Sequence, residues 1–105
     1  MAINRIAFYH LETLLWIARL GTFAAAAARL NTTQPAISAR VRELESHLGT
    51  ALFRREGRAM ALTPAGRELV RESEPLWARF QTVLTGCSDI GGARGVVRVG
   101  SGEIA

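Results

Sequence analysis

The chain has 105 residues, 49% of them hydrophobic and 21% charged, with a net charge of +4. That suffices for one small soluble domain and little more, and no apolar run approaches the about 18 to 20 residues of a membrane span. The opening "MAINRIAFYHLE" lacks the unbroken apolar core and small-residue cleavage site of a secretion signal, so a cytoplasmic location is expected.

Leu11, Leu14, Leu15 and Ala18 fall at helical spacing, which predicts a first helix over 8–20, stopped by Gly21. Thr22 is placed to cap a second, shorter helix carrying Phe23, Ala26, Ala27 and Leu30 on one face. Its alanines favour helix and let a neighbouring helix come close. Asn31-Thr32-Thr33 is a turn cluster, after which Thr33 caps a third helix. Pro35 is tolerated there because first-turn N–H groups have no intrahelical partner. Ile37, Val41, Leu44 and Leu48 form its buried stripe, and Gly49 ends it. Two helices joined by a three- to four-residue turn, the second tightly capped, make a helix-turn-helix pattern.

"ALFRREGRAMALT" (51–63) places two short apolar pieces around a basic tip with a turn glycine, Gly57, and predicts a two-stranded hairpin, or wing. Thr63-Pro64 restarts a helix that is expected to run to about Thr85. Positions 66, 69, 73, 76, 80, 83 and 87 on it step by three and four and form an imperfect heptad seam, interrupted by Pro75. "GCSDIGGARG" (86–95) has the glycine content of a linker, and "VVRVG" (96–100) has the pattern of a strand. The expected fold is therefore mainly α: a three-helix core with a two-stranded β wing, a winged helix-turn-helix, followed by a long dimerisation helix. The expected domains are 1–62 (winged helix-turn-helix), 63–86 (linker and dimerisation helix) and 87–105 (hinge and first strand of a further, truncated domain).

All 13 basic residues are arginine. Residues 1–62 carry the whole excess of +4, with eight Arg against four Glu, and residues 63–105 sum to zero. A basic segment joined to a neutral one fits a polyanion-binding module plus something else, although a solvated basic surface gives the same charge.

On the third helix Gln34, Ser38 and Arg42 lie at i, i+4, i+8, opposite the apolar stripe, with Arg40 nearby. A helix N-terminus offers free N–H donors and partial positive charge to a phosphate. A glutamine at that tip donates and accepts at once and pairs with the adenine edge in the major groove. Arg54, Arg55 and Arg58 of the wing are suited to phosphates or an adjacent minor groove. The plainer alternative pairs these arginines with Glu43, Glu45 and Glu56 and leaves Gln34 and Ser38 to solvent. The two-helix spacing, the basic wing and the confined charge together favour double-stranded DNA as partner.

Residues 11–66 resemble the DNA-binding domain of LysR-type transcriptional regulators. "GTFAAAAARL", "TQPAIS", "LE..LG..LF.R" and "LT.AG" fall in the order and spacing of that family, and "GVVRVGSG" resembles the first strand of its effector-binding domain. The resemblance implies a bacterial regulator that binds an inverted-repeat operator as a dimer or tetramer, with any small-molecule inducer bound only by the domain that is missing. It implies DNA contacts from Thr33, Gln34, Pro35 and Ser38 and from Arg54, Arg55 and Arg58, to which Thr22, Thr32, Arg40 and Arg42 are added by position. It implies a dimer interface on the fourth helix, assigned to Leu69, Leu76, Trp77, Phe80, Val83 and Leu84. Two positions depart from the family pattern: Ala39 where a basic residue often follows the serine, and Ala24 where a hydroxyl residue often follows the phenylalanine.

Three other readings compete. Another winged helix-turn-helix family conflicts with the "TQPAIS" to "LFRR" spacing. A helical interaction module working through 66–87 would be indifferent to the wing arginines. An enzyme is disfavoured, because His10 and His47 are isolated from any nucleophile or metal-ligand pattern and are expected at the surface or at helix ends, and no phosphate loop is present. Cys87, the single cysteine, excludes an internal disulfide and is expected as a small apolar residue on a helix face. No metal, cofactor or membrane is expected.

Overall fold

The computed structural model describes residues 3–94, with side chains described through Ser88. After a short 3-10 turn at Ile3–Arg5 come α1 (Phe8–Leu20), α2 (Phe23–Arg29), α3 (Gln34–Leu48), β1 (Phe53–Glu56), β2 (Ala59–Leu62) and α4 (Pro64–Arg94). The described residues fall into two compact units whose boundary lies between Glu74 and Pro75.

In the first unit the predicted stops and caps are in place. Gly21 and Gly49 take left-handed φ values of 91° and 71°, and their N–H groups bond Ile17 and Glu45 carbonyls at 2.8 Å. The Thr22 and Thr33 hydroxyls accept from the N–H groups of Ala25 and Ala36 at 3.0 and 3.2 Å. Each such cap is worth about 1 kcal/mol. β1 and β2 pair antiparallel with Phe53 opposite Leu62, Arg54 opposite Ala61, Arg55 opposite Met60 and Glu56 opposite Ala59. Gly57, at φ 63°, makes the tight turn between them.

One core joins these elements: Leu14, Ile17, Ala26, Ala27, Ile37, Val41, Leu44, Leu52 and Phe53. The large aliphatic members contribute about 1.5–3 kcal/mol each by leaving water. Ala26 and Ala27 are the close-approach face of α2. Phe53 meets Phe23 edge-on, ring centroids 5.1 Å apart, and ties the wing to α2. Gly66 lets α4 start against the wing's entry: a Cβ there would lie 2.3 Å from the Leu52 carbonyl oxygen.

Expectations for α1 and for the end of α4 are corrected. The buried face of α1 holds His10, Thr13, Leu14, Leu15 and Ile17, leaving Leu11 and Ala18 only half-buried. Polar residues sit on that face because each has a partner. His10, only 3% exposed and not a surface residue, accepts the Ala7 N–H on Nδ1 at 2.9 Å and places Nε2 3.0 Å from Glu43 Oε1. The Thr13 hydroxyl accepts from Arg40 at 3.4 Å.

Next, α4 continues past Thr85 to Arg94, so "GCSDIGGAR" is helical rather than a linker. Glycine inside a helix costs about 1 kcal/mol without breaking it, and after Pro75 there is no further proline to stop propagation. The strand expected at 96–100 lies outside the described residues. On the seam, Leu69 packs against the core of the first unit, and Trp77 is 8% exposed in the single chain. By contrast Leu76, Phe80, Val83 and Leu84 are exposed. Cys87 is exposed on α4. No single helix among the described residues is long and apolar enough to cross a membrane.

Candidate nucleic-acid interface

The N-terminus of α2, the outer face of α3 and the wing enclose an open groove of about 500 Å³. Its polar lining is Thr22, Gln34, Ser38, Arg42, Glu45, Arg55 and Arg58, and its apolar part includes Ala24, Ala59 and Met60. Helical geometry explains the α3 contribution, since steps of four keep Gln34, Ser38 and Arg42 on one face. The wing contributes through strand alternation and its turn. Arg55 and Arg54 point to opposite faces of β1, and Arg58 sits in the turn.

Among the described residues, the guanidinium groups of Arg42, Arg55 and Arg58 have no ion pair or hydrogen bond to a protein group. Three cations without an ion-pair partner, beside an amide and a hydroxyl, are the donor set that a polyanion with hydrogen-bonding edges requires.

The remaining sequence-predicted residues stand apart from the groove lining. Thr32, Thr33 and Pro35 surround the tip of α3, with the Thr33 hydroxyl engaged as the cap. Arg40 is turned back onto α1, its guanidinium 5.2 Å from the Tyr9 ring centre and bonded to Thr13. Two residues beyond Ser38 is about 200° around the helix, so Arg40 lies away from the face on which the sequence reading grouped it. Arg54 is held by Glu56, Nε and Nη2 lying 3.0 and 2.9 Å from one carboxylate oxygen.

Sequence reasoning missed Met60, Ala59 and the role of Glu45. Strand register to Arg55 would have placed Met60, but nothing in the sequence marks it as distinct from core. Among the described residues, Glu45 pairs with no arginine. Its Oε2 accepts the N–H groups of Leu52 and Phe53 at 2.8 and 3.2 Å. Among the described residues, no three His, Cys, Asp or Glu side chains come together as metal ligands would.

Residues 8–67 match the family of bacterial regulatory helix-turn-helix proteins of lysR type. The transcriptional regulator XapR of Escherichia coli is 44% identical over 79 residues, which is 74% of this chain and 27% of that protein. This chain spans about a quarter of that relative's length. A LysR-family regulator from Eggerthella lenta superposes with a TM-score of 0.59 at 36% identity, covering 64% of this chain and 94% of that one. The CbnR DBD, solved as a complex with DNA, superposes with a TM-score of 0.65 at 30% identity, covering 86% and 99%. The order of caps, helices and wing and the match over residues 8–67 thus lead to one conclusion: the chain belongs to the LysR family of bacterial helix-turn-helix regulators.

Proposed function

We propose that this chain is the operator-reading part of a transcriptional regulator, acting in the cytoplasm without catalysis of its own. α3 enters the major groove, where Gln34 and Ser38 meet base edges, and Arg42, Arg55 and Arg58 hold the flanking phosphates. The carrying observation is that these five residues line one groove while the three arginines have no ion-pair partner among the described residues. The CbnR DBD, which shares this fold, was solved on DNA, and that supports the same partner here. Thr22 and Ala24 at the start of α2 flank the reading helix. Thr32, Thr33 and Pro35 at the tip of α3 are proposed as peripheral backbone contacts, with Arg40 and Arg54 secondary to them.

The exposed Leu76, Phe80, Val83 and Leu84 of α4 support a homodimer through that helix. A dimer reads an inverted repeat because two-fold proteins meet two-fold sites. Assembly into a tetramer and response to a small-molecule inducer are properties for which longer relatives, about three times this length, have room.

The test is a salt titration of binding to random genomic fragments, followed by sequencing of the bound DNA. Enrichment of a two-fold motif with steep salt dependence is expected. Salt-sensitive binding without enrichment would reduce the domain to a non-reading polycation, and no binding at low salt would overturn the assignment.

A further inference from the structure

Glu45 presents a problem of sign. A carboxylate lines the groove together with three unpaired arginines, where a phosphate is to sit. As a bare charge it opposes binding. Its contacts explain its presence: one oxygen, Oε2, accepts the N–H groups of Leu52 and Phe53 at 2.8 and 3.2 Å. Those two residues are the chain's entry into the wing, Phe53 being the first residue of β1.

The same short entry is held from its other side by α4. The Thr63 hydroxyl donates to the Ala51 carbonyl at 2.7 Å, and the Thr63 N–H donates to the Leu52 carbonyl at 2.9 Å. Gly66 packs directly on that carbonyl. The α4 contacts fix the wing to the body of the domain. Glu45 supplies side-chain hydrogen bonds between α3 and the wing's entry, so it sets the wing relative to the reading helix itself.

We propose that Glu45 is a positioning residue for DNA binding. It touches no DNA and acts through Arg55 and Arg58, by locking the wing to α3 so that these arginines meet phosphates at the distance fixed by Gln34 in the major groove. The inference rests on the DNA-binding reading above. It makes the number of phosphates engaged, rather than fold stability, the quantity that Glu45 controls.

Two mild substitutions separate geometry from charge. Glu45→Asp keeps the charge but is one methylene too short to reach both N–H groups. Glu45→Gln keeps an acceptor oxygen at the same reach and removes the charge. Affinity for the operator fragment is measured across a salt series, with the helical content and thermal midpoint of each variant checked alongside. Glu45→Asp is expected to bind about tenfold more weakly, with the log–log salt slope reduced by about one to two, the share of Arg55 and Arg58. Adding Arg55→Ala and Arg58→Ala to it should then lower the slope little further. Glu45→Gln is expected to restore the wild-type slope.

A merely structural role lowers the midpoint but leaves the slope unchanged, because the folded molecules still engage the same phosphates. A folded Glu45→Asp variant with wild-type slope, or a folded Glu45→Gln variant with a reduced one, overturns the proposal. Should Glu45→Asp not fold, hydrogen exchange in the wild type decides: a Phe53 amide slowed well below those of the wing tip supports the bond, and exchange as fast as the tip overturns it. Wild-type protein that fails to bind DNA at low salt defeats the functional reading and this inference together. Wild-type binding with an unmoved Asp slope defeats the inference alone.

Discussion

Arg54 places Nε and Nη2 at 3.0 and 2.9 Å from a single oxygen of Glu56, its neighbour two residues along β1. Both side chains lie on the face of the strand that alternation turns away from Arg55. The run "RREGR" is therefore three arginines in sequence but two free cations in space. Arg55→Ala and Arg58→Ala should each lower the salt slope of DNA binding by about one. Arg54→Ala should lower it less than either. Glu56→Gln releases Arg54 and should tighten binding at low salt. Fluorescence anisotropy over a salt series reads all four variants, and equal slopes for Arg54→Ala and Arg58→Ala would count against this division of the wing.

Gln34 occupies the first position of α3, directly after the Thr33 cap, and lines the groove. Replacing it with Ala leaves the cap bond intact, since that bond belongs to the Thr33 hydroxyl and the Ala36 N–H. The helix should keep its stability, and binding should lose about 1–3 kcal/mol at one base position, with relaxed preference there. Competition between operator variants checks this. An equal loss on specific and random DNA would make Gln34 a backbone contact.

How much of this was legible in the sequence differs from element to element. Caps and stops were legible because they are local: Thr22, Thr33, Gly21, Gly49 and Gly57 act within four residues of themselves. The wing was legible from its turn glycine and flanking apolar pairs. The face of α1 was not, because burying His10 and Thr13 depends on Glu43 and Arg40, which lie about thirty residues away. The seam of α4 was half legible. Periodicity found the helix and its apolar face, but only the fold separates Leu69, packed on the core, from Leu76, left outside it. Glu45 stands in the "LE..LG..LF.R" motif, but its bonds to the Leu52 and Phe53 N–H groups, seven and eight residues on, were not legible from that spacing.

Two long-range carboxylate pairs make the fold sensitive to acid. The hydrogen bond with His10 holds the Glu43 carboxyl below its ordinary value, desolvation opposes it, and the charge of His10, the Tyr9 hydroxyl and the charge of His47 add to the lowering. Glu74 is lowered chiefly by its hydrogen bonds from Arg19, at 2.9 and 3.2 Å, again against desolvation. Both groups bind their proton more readily in the unfolded chain. The stability they contribute is thus fully present above the ordinary carboxylate range of about 4 and is lost as pH falls through their lowered folded values. Glu43→Gln and Glu74→Gln should each make the acid limb of the stability curve shallower. Both carboxylates are exposed or nearly so, which keeps each effect small. Chemical denaturation from about pH 7 to about pH 3 is the measurement, and a wild-type-to-variant gap that stays constant over that range would remove these pairs from the acid response.

Exposure on α4 divides residues that the heptad pattern treats alike. Leu76 is 71% and Leu84 53% exposed in the single chain, whereas Trp77 is 8% exposed. Truncating an exposed leucine removes little from the protomer, usually within about 0.5 kcal/mol of its stability. In a dimer formed through this face the same truncation removes a buried anchor, so Leu76→Ala and Leu84→Ala should each raise the dimer dissociation constant about tenfold. DNA affinity should then fall with protein concentration, because binding two half-sites draws on the dimer population. Trp77→Ala should behave in the opposite way, costing the protomer about 3–5 kcal/mol by leaving a cavity. Sedimentation of the three variants beside their thermal midpoints separates the two behaviours. A Leu76→Ala protein that stays dimeric at nanomolar concentration would move the interface off this face of α4.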